Sequence, residues 1–195
     1  MAEIELDQKK LKKTGAIYGL ILGMVMILAG IISFYLMSST SNLAVVVGTP
    51  VVFSILLPLV AAVVLIFSLR KKINGYWDLR QATTGIFILF LVAYFVSTSG
   101  SIAYLKAAGP GIKVHTKENL IRVTSSFLEK QGADQVEIDA AVDKVNAGFA
   151  ESPDLKIGDV IMGYLQAVII IFVAALVFAA IFKREPPVYF KAGDE

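Results

Sequence analysis

The sequence predicts an all-α integral membrane protein: a four-helix bundle with an extramembrane amphipathic helical hairpin between the third and fourth spans. Three observations carry that prediction. Hydrophobic residues make up 56% of the 195 and fall into blocks with charges between them, whereas a soluble domain disperses them. The stretch Gly15–Met37 holds no charge over twenty-three residues. A span needs about 20 apolar residues at ~1.5 Å rise each to cross ~30 Å of hydrocarbon, so this one is long enough. Residues 106–158 differ in kind, with seven basic and eight acidic residues and apolar positions at helical spacing. The chain therefore reads as a single membrane domain over 1–195, with spans near 15–37, 48–69, 84–105 and 160–182 and a hairpin over 107–158.

Composition removes several classes of function. A net charge of +2, with basic residues at block ends, gives no footprint for nucleic acid. The absence of cysteine excludes disulfides, thiolate metal sites and a cysteine nucleophile. The first apolar run exceeds the ~7–15 residues of a secretory h-region and no A-x-A site follows, so it is read as a retained anchor.

The N-terminal tail opens acidic (Glu3, Glu5, Asp7) and ends basic (Lys9, Lys10, Lys12, Lys13), a hydrated tail that sets topology. Gly15, Gly19 and Gly23 then recur every fourth residue, with Gly30 further on. That spacing makes a groove into which another helix backbone settles. Ser38–Asn42 is an uncharged turn. The second span is placed from about Pro50, where proline suits a helix start, and Pro58 in its middle removes a backbone hydrogen bond and predicts a kink.

Arg70, Lys71 and Lys72 close that span. Tyr76, Trp77 and Arg80 follow as expected interfacial anchors on a short segment along the membrane surface. The third span, Thr84–Leu105, contains the small polar run Ser97–Ser101, read as packing or a polar pathway. Gly109-Pro110-Gly111 breaks the helix. Thr116 is expected to cap a helix ending at Gly132. Asp134 with Glu137 resembles a capping box for a second helix, which Ser152-Pro153 closes. The fourth span has small packing positions at Ala167, Ala174, Ala175, Ala179 and Ala180, and Pro186-Pro187 ends it.

Orientation follows from the lysines and arginines. Four stand in the N-terminal tail, four in the 70–80 link, three in the C-terminal tail and none in the Ser38–Asn42 turn. The positive-inside rule puts both termini in the cytoplasm and the hairpin outside.

Sites of chemistry are sought in vain. The spans contain no ionisable residue, the usual mark of an ion or proton pathway; Asp159 and Lys106 stand only at their mouths. His115 is the single histidine and has only carboxylates such as Glu118 or Glu137 as possible co-ligands. Ser99 or Ser101 with Lys106 sketches a serine–lysine hydrolase without a positioned base or oxyanion hole. No catalytic residue, cofactor or metal site is assigned, and the protein is not expected to be an enzyme.

Several stretches together resemble a known family. They are Ala16-Ile17-Tyr18-Gly19-Leu20-Ile21-Leu22-Gly23, then Gly75-Tyr76 and Arg80-Gln81-Ala82 with Gly85, then Ala179-Ala180-Ile181-Phe182-Lys183-Arg184. The chain is similar to small bacterial four-span membrane proteins catalogued as domain of unknown function 4199. The resemblance covers nearly the whole chain and carries no catalytic or binding residue with it. It implies the cytoplasmic membrane of a bacterium and, through a gene neighbour encoding a polyprenyl-phosphate glycosyltransferase, a cell-envelope role. The expected function is a non-enzymatic scaffold or accessory subunit. The alternatives are a homo-oligomeric conduit for a lipid or small solute and a membrane serine hydrolase. Expected partners are the bilayer and a membrane protein, or a second copy held through the glycine stripe; no nucleic acid is expected.

Overall fold

A computed structural model describes residues 2–40, 42–73, 75–109, 111–149 and 157–184. Among them every extended element is a helix, and the fold is an all-α bundle. The helices are α1 (Ala2–Ser39), α2 (Leu43–Pro50), a π-helix (Val51–Leu56), α3 (Leu57–Lys72), α4 (Leu79–Ala108), α5 (Gly111–Lys130), α6 (Gln135–Phe149) and α7 (Ile157–Phe182). Four runs are long and apolar enough to cross a membrane: Gln8–Met37, Ala44–Lys72, Leu79–Tyr104 and Met162–Phe182. Only 11–22% of each most apolar window is buried within the chain, so most of this apolar surface faces outward. In water such surface is costly at about 25 cal/mol per Å2, and in hydrocarbon it is not.

Four boundaries differ from those expected. The tail read as a hydrated stretch ahead of the first span is continuous with that span's helix, because Lys and Leu are good helix formers and Leu11 is buried against α4 at Gly85. The second run begins at Leu43, not near Pro50. Asn42 accepts the Ala44 N–H through its side chain (2.9 Å) and caps the helix there, leaving Pro50 inside it. Between Pro50 and Pro58 the ladder widens to a π-helix, in which Leu57 N–H donates to the Val52 carbonyl. A π-turn moves away the carbonyl that a proline ring would strike in an α-helix, so the expected distortion at Pro58 takes this form.

The third run begins at Leu79, five residues before Thr84. Gln81 N–H donates to Asp78 Oδ1 (2.7 Å) and Asp78 N–H to Gln81 Oε1 (3.3 Å), a reciprocal capping box. Finally, α5 begins at Gly111, so Thr116 lies within the helix and is fully buried instead of capping it. The expected capping by Asp134 is present, its Oδ1 accepting from Glu137 N–H at 2.8 Å. The turn at Ser152-Pro153, the stop at Pro186-Pro187 and the side chain of Asp159 lie outside the described residues.

The chain forms two compact units, whose boundaries fall inside α1, at the start of α3 and inside α4. The first comprises residues 1–25, 59–97 and 156–195. Its core holds Leu11, Leu22, Ala62, Ile66, Leu69, Ile73, Trp77, Ala82, Ile86, Leu89, Ala93, Ala175 and Ala179. Ala175 and Ala179 lie one turn apart and let α7 approach closely, while Phe172, Phe178 and Phe182 meet Phe87, Phe90 and Phe67 edge-on at 4.9–5.8 Å.

The second unit comprises residues 26–58 and 98–155. Here α5 packs on α6 as a hairpin and also on α2. The hairpin turn is a Schellman motif: Gly132 has φ +79°, its N–H donates to Glu129 O, and Ala133 N–H donates to Leu128 O. Asn119, nearly buried on α5, donates through Nδ2 to the carbonyls of Met37 and Thr40, and Arg122 donates to its Oδ1 at 2.6 Å. These are carbonyls that the end of α1 leaves without helical partners. Asn119 thus fastens the hairpin to the end of α1.

Candidate functional site

The residues singled out in the sequence converge on two features of the first unit. The first is a seam between α1 and α4. A Cβ at Gly15 would stand 2.9 Å from the Gly85 carbonyl oxygen. At Gly19 it would stand 2.6 Å from the Leu89 oxygen and 2.7 Å from Val92 Cβ. At Gly23 it would meet Val96 Cβ at 2.7 Å and the Ala93 oxygen at 3.1 Å. The carbonyls met are 85, 89 and 93, so both helices advance by four together and run in the same direction. Backbone lies on backbone, which only the absence of a side chain permits.

Gly30 is different: nothing lies within 4 Å of its would-be Cβ. It borders, within the second unit, a notch of about 30 Å3 lined also by Ile27, Ile31, Phe34, Ser101 and Tyr104. Two glycines outside the stripe are as tightly placed. A Cβ at Gly85 would stand 2.6 Å from Leu11 Cδ1 in the first unit, and one at Gly100 would strike Ile27 in the second. A sequence spacing rule sees one helix at a time and misses both.

The second feature is the joint at Trp77. Gly75 takes φ +78° and returns its N–H to the Arg70 carbonyl, which turns the chain sharply after α3. Trp77 then pairs with Arg184 in an antiparallel bridge, each N–H donating to the other's carbonyl at 3.0 and 3.3 Å. Its indole Nε1–H donates to the Phe182 carbonyl at 2.9 Å, satisfying the end of α7. The Trp77 ring is 1% exposed. It is held inside the protein, since a large ring with one donor finds a partner in the carbonyl that ends α7, which Arg70 also reaches at 3.5 Å. Tyr76 is exposed, with the Arg184 guanidinium 5.6 Å above its ring, and Arg80 is exposed on the first turn of α4.

Cations gather at this joint. Lys72 lies over the Tyr18 ring at 5.7 Å, and Arg70 over Phe67 at 5.1 Å. The start of α1, the end of α3, the start of α4 and the end of α7 thus meet at one end of this unit, with Leu11, Leu69 and Gly85 packed beneath.

Ser97 is buried and donates to the Tyr94 carbonyl of its own helix at 3.1 Å. Ser99, Ser101 and Lys106 are exposed on α4. His115 and Glu118 are mainly exposed, 3.9 Å apart within α5. Among the described residues no three His, Cys, Asp or Glu side chains come together as a metal site would need.

Neither a curated protein nor a solved structure matches the chain. A family described as protein of unknown function DUF4199 matches residues 13–184, a stretch that contains both the glycine seam and the Trp77 joint, and the chain belongs to that family.

Proposed function

We propose that the protein is a multi-pass scaffold or accessory subunit of the bacterial cytoplasmic membrane, acting in the cell envelope without catalysis of its own. The observation that carries this reading is the seam at Gly15, Gly19 and Gly23. There α1 lies directly against the backbone and the valines of α4, and the span interiors are given to packing rather than to ionisable groups. Around it the large apolar side chains of α1 and α7, among them Leu20, Met24, Leu28, Ile169, Ile170 and Ile181, are left outward for lipid or a partner helix. The gathering of cations where α1 and α4 start and α3 ends supports a cytoplasmic placement of that end.

Affinity purification from the native host in mild detergent, followed by mass spectrometry, tests the scaffold reading. A stoichiometric membrane-protein partner is the expected result. Isolation as a defined homo-oligomer with a retained solute would replace the reading with the conduit. Orientation is tested on the cysteine-free chain. A single cysteine at Ser125 is expected to react with an impermeant reagent from outside, and one at residue 2 is not. The reverse pattern would invert the topology.

A further inference from the structure

The second unit carries a cavity of about 640 Å3, lined by Thr40, Asn42, Ala44, Val123, Ser126, Phe127 and Lys130. Its volume is that of a small-molecule site, ~300–1,000 Å3. Its lining is of two kinds. Thr40, Asn42 and Ser126 bring hydroxyl and amide groups, and Lys130 brings the one charge among the described lining residues. Opposite in character, Ala44, Val123 and Phe127 form an apolar wall.

The electrostatics favour an anion. Among the described residues Lys130 has no ion-pair partner. Several carbonyls that would repel a negative charge are already engaged: those of Met37 and Thr40 by Asn119, and those of Leu128 and Glu129, near the end of α5, by Ala133 and Gly132.

The position favours an amphiphile. One apolar run ends at Met37 and the next begins at Ala44, so the cavity lies where hydrocarbon gives way to water. From it a smooth apolar face leads along α2 and the π-helix: Ala44, Gly48, Val51, Val52 and Ile55 follow at i, i+4, i+7, i+8 and i+11. Gly48 has open space beside it, and the two valines and the isoleucine are exposed. We propose that this cavity binds the singly charged phosphodiester head group of a membrane lipid, with Lys130 as counter-ion, Thr40 and Ser126 as hydroxyl donors and the acyl chain along the Ala44–Ile55 face. The site is independent of the scaffold reading and stands or falls whether or not a protein partner exists.

The test is native mass spectrometry of the full chain released from nanodiscs of phosphatidylcholine doped with phosphatidylglycerol. The wild type is expected to retain phosphatidylglycerol in preference to phosphatidylcholine. Lys130→Gln is expected to lower that retention by about tenfold, the weight of one charge-assisted contact, while Lys144→Gln on α6 leaves it unchanged. Gly48→Leu fills the chain path at a position with room for it, and is expected to lower lipid retention equally. Equal retention by the Lys130 and Lys144 variants would overturn the site, as would no preference between the two lipids. Soluble sn-glycerol 3-phosphate competing as well as the lipid, with Gly48→Leu silent, would overturn the lipid as its source.

Discussion

A methyl group at position 19 would press on the Leu89 carbonyl oxygen, and backbone in a helix cannot step aside as a side chain does. Gly19→Ala is therefore expected to destabilise the protein by about 1–3 kcal/mol, despite alanine's better helix propensity. Gly30→Ala meets nothing and keeps that propensity gain, so it should be neutral or stabilising by up to about 1 kcal/mol. Thermal unfolding in detergent compares the two, and equal losses would show that the seam is not what holds α1 to α4. Trp77 is the chain's single tryptophan. Its burial predicts weak quenching of the intrinsic fluorescence by acrylamide. Trp77→Phe removes the shorter of two hydrogen bonds to the Phe182 carbonyl, leaving the one from Arg70 at 3.5 Å, and should cost about 1 kcal/mol on the same unfolding assay. The glycine spacing was legible because a four-residue repeat is visible along one helix. What lies beneath Trp77 was not, since an aromatic ring between cations reads alike whether it faces lipid or a carbonyl 105 residues away.

Among the elements, helix starts show what short-range chemistry writes into a sequence. Asp78 and Gln81 carry the side chains of a capping box, and that signal was available to place the start of α4 at Leu79. Asp78→Ala should lower stability by about 1 kcal/mol, read as a lower Tm. Asn119 has no such local signature. Its role is fixed by carbonyls at Met37 and Thr40, some eighty residues away, which it meets only after α5 has folded back. Asn119→Ala leaves both carbonyls without that donor and is expected to cost about 1–3 kcal/mol, with faster amide exchange at the start of α2. The π-helix belongs with Asn119. Pro58 announces a disturbed ladder and Pro50 reads as a helix start, but the π-helix between them depends on packing.

At the scale of the whole molecule, the four apolar runs and the intervening hairpin were legible because both signals are periodic and long. The division into two compact units was not. It cuts through α1, whose composition does not change at Val25, and through α4 where the polar run Ser97–Ser101 begins, and it depends on which segments meet rather than on any segment's own character. Charge placement was legible as counts along the chain, and in the first unit those counts become one cationic end.

The joint between Trp77 and the end of α7 has a consequence for the order in which the protein is made. The last helix leaves the ribosome after all its neighbours in the first unit, separated from them by the whole α5–α6 hairpin. Until it arrives the indole N–H lacks its acceptor, and Phe67, Phe87 and Phe90 lack their aromatic partners. Until then α1, α3 and α4 of the first unit leave open the place that α7 fills. Two polypeptides, residues 1–149 and 150–195, expressed together should find each other in the membrane, and the return of acrylamide protection to Trp77 would report their union.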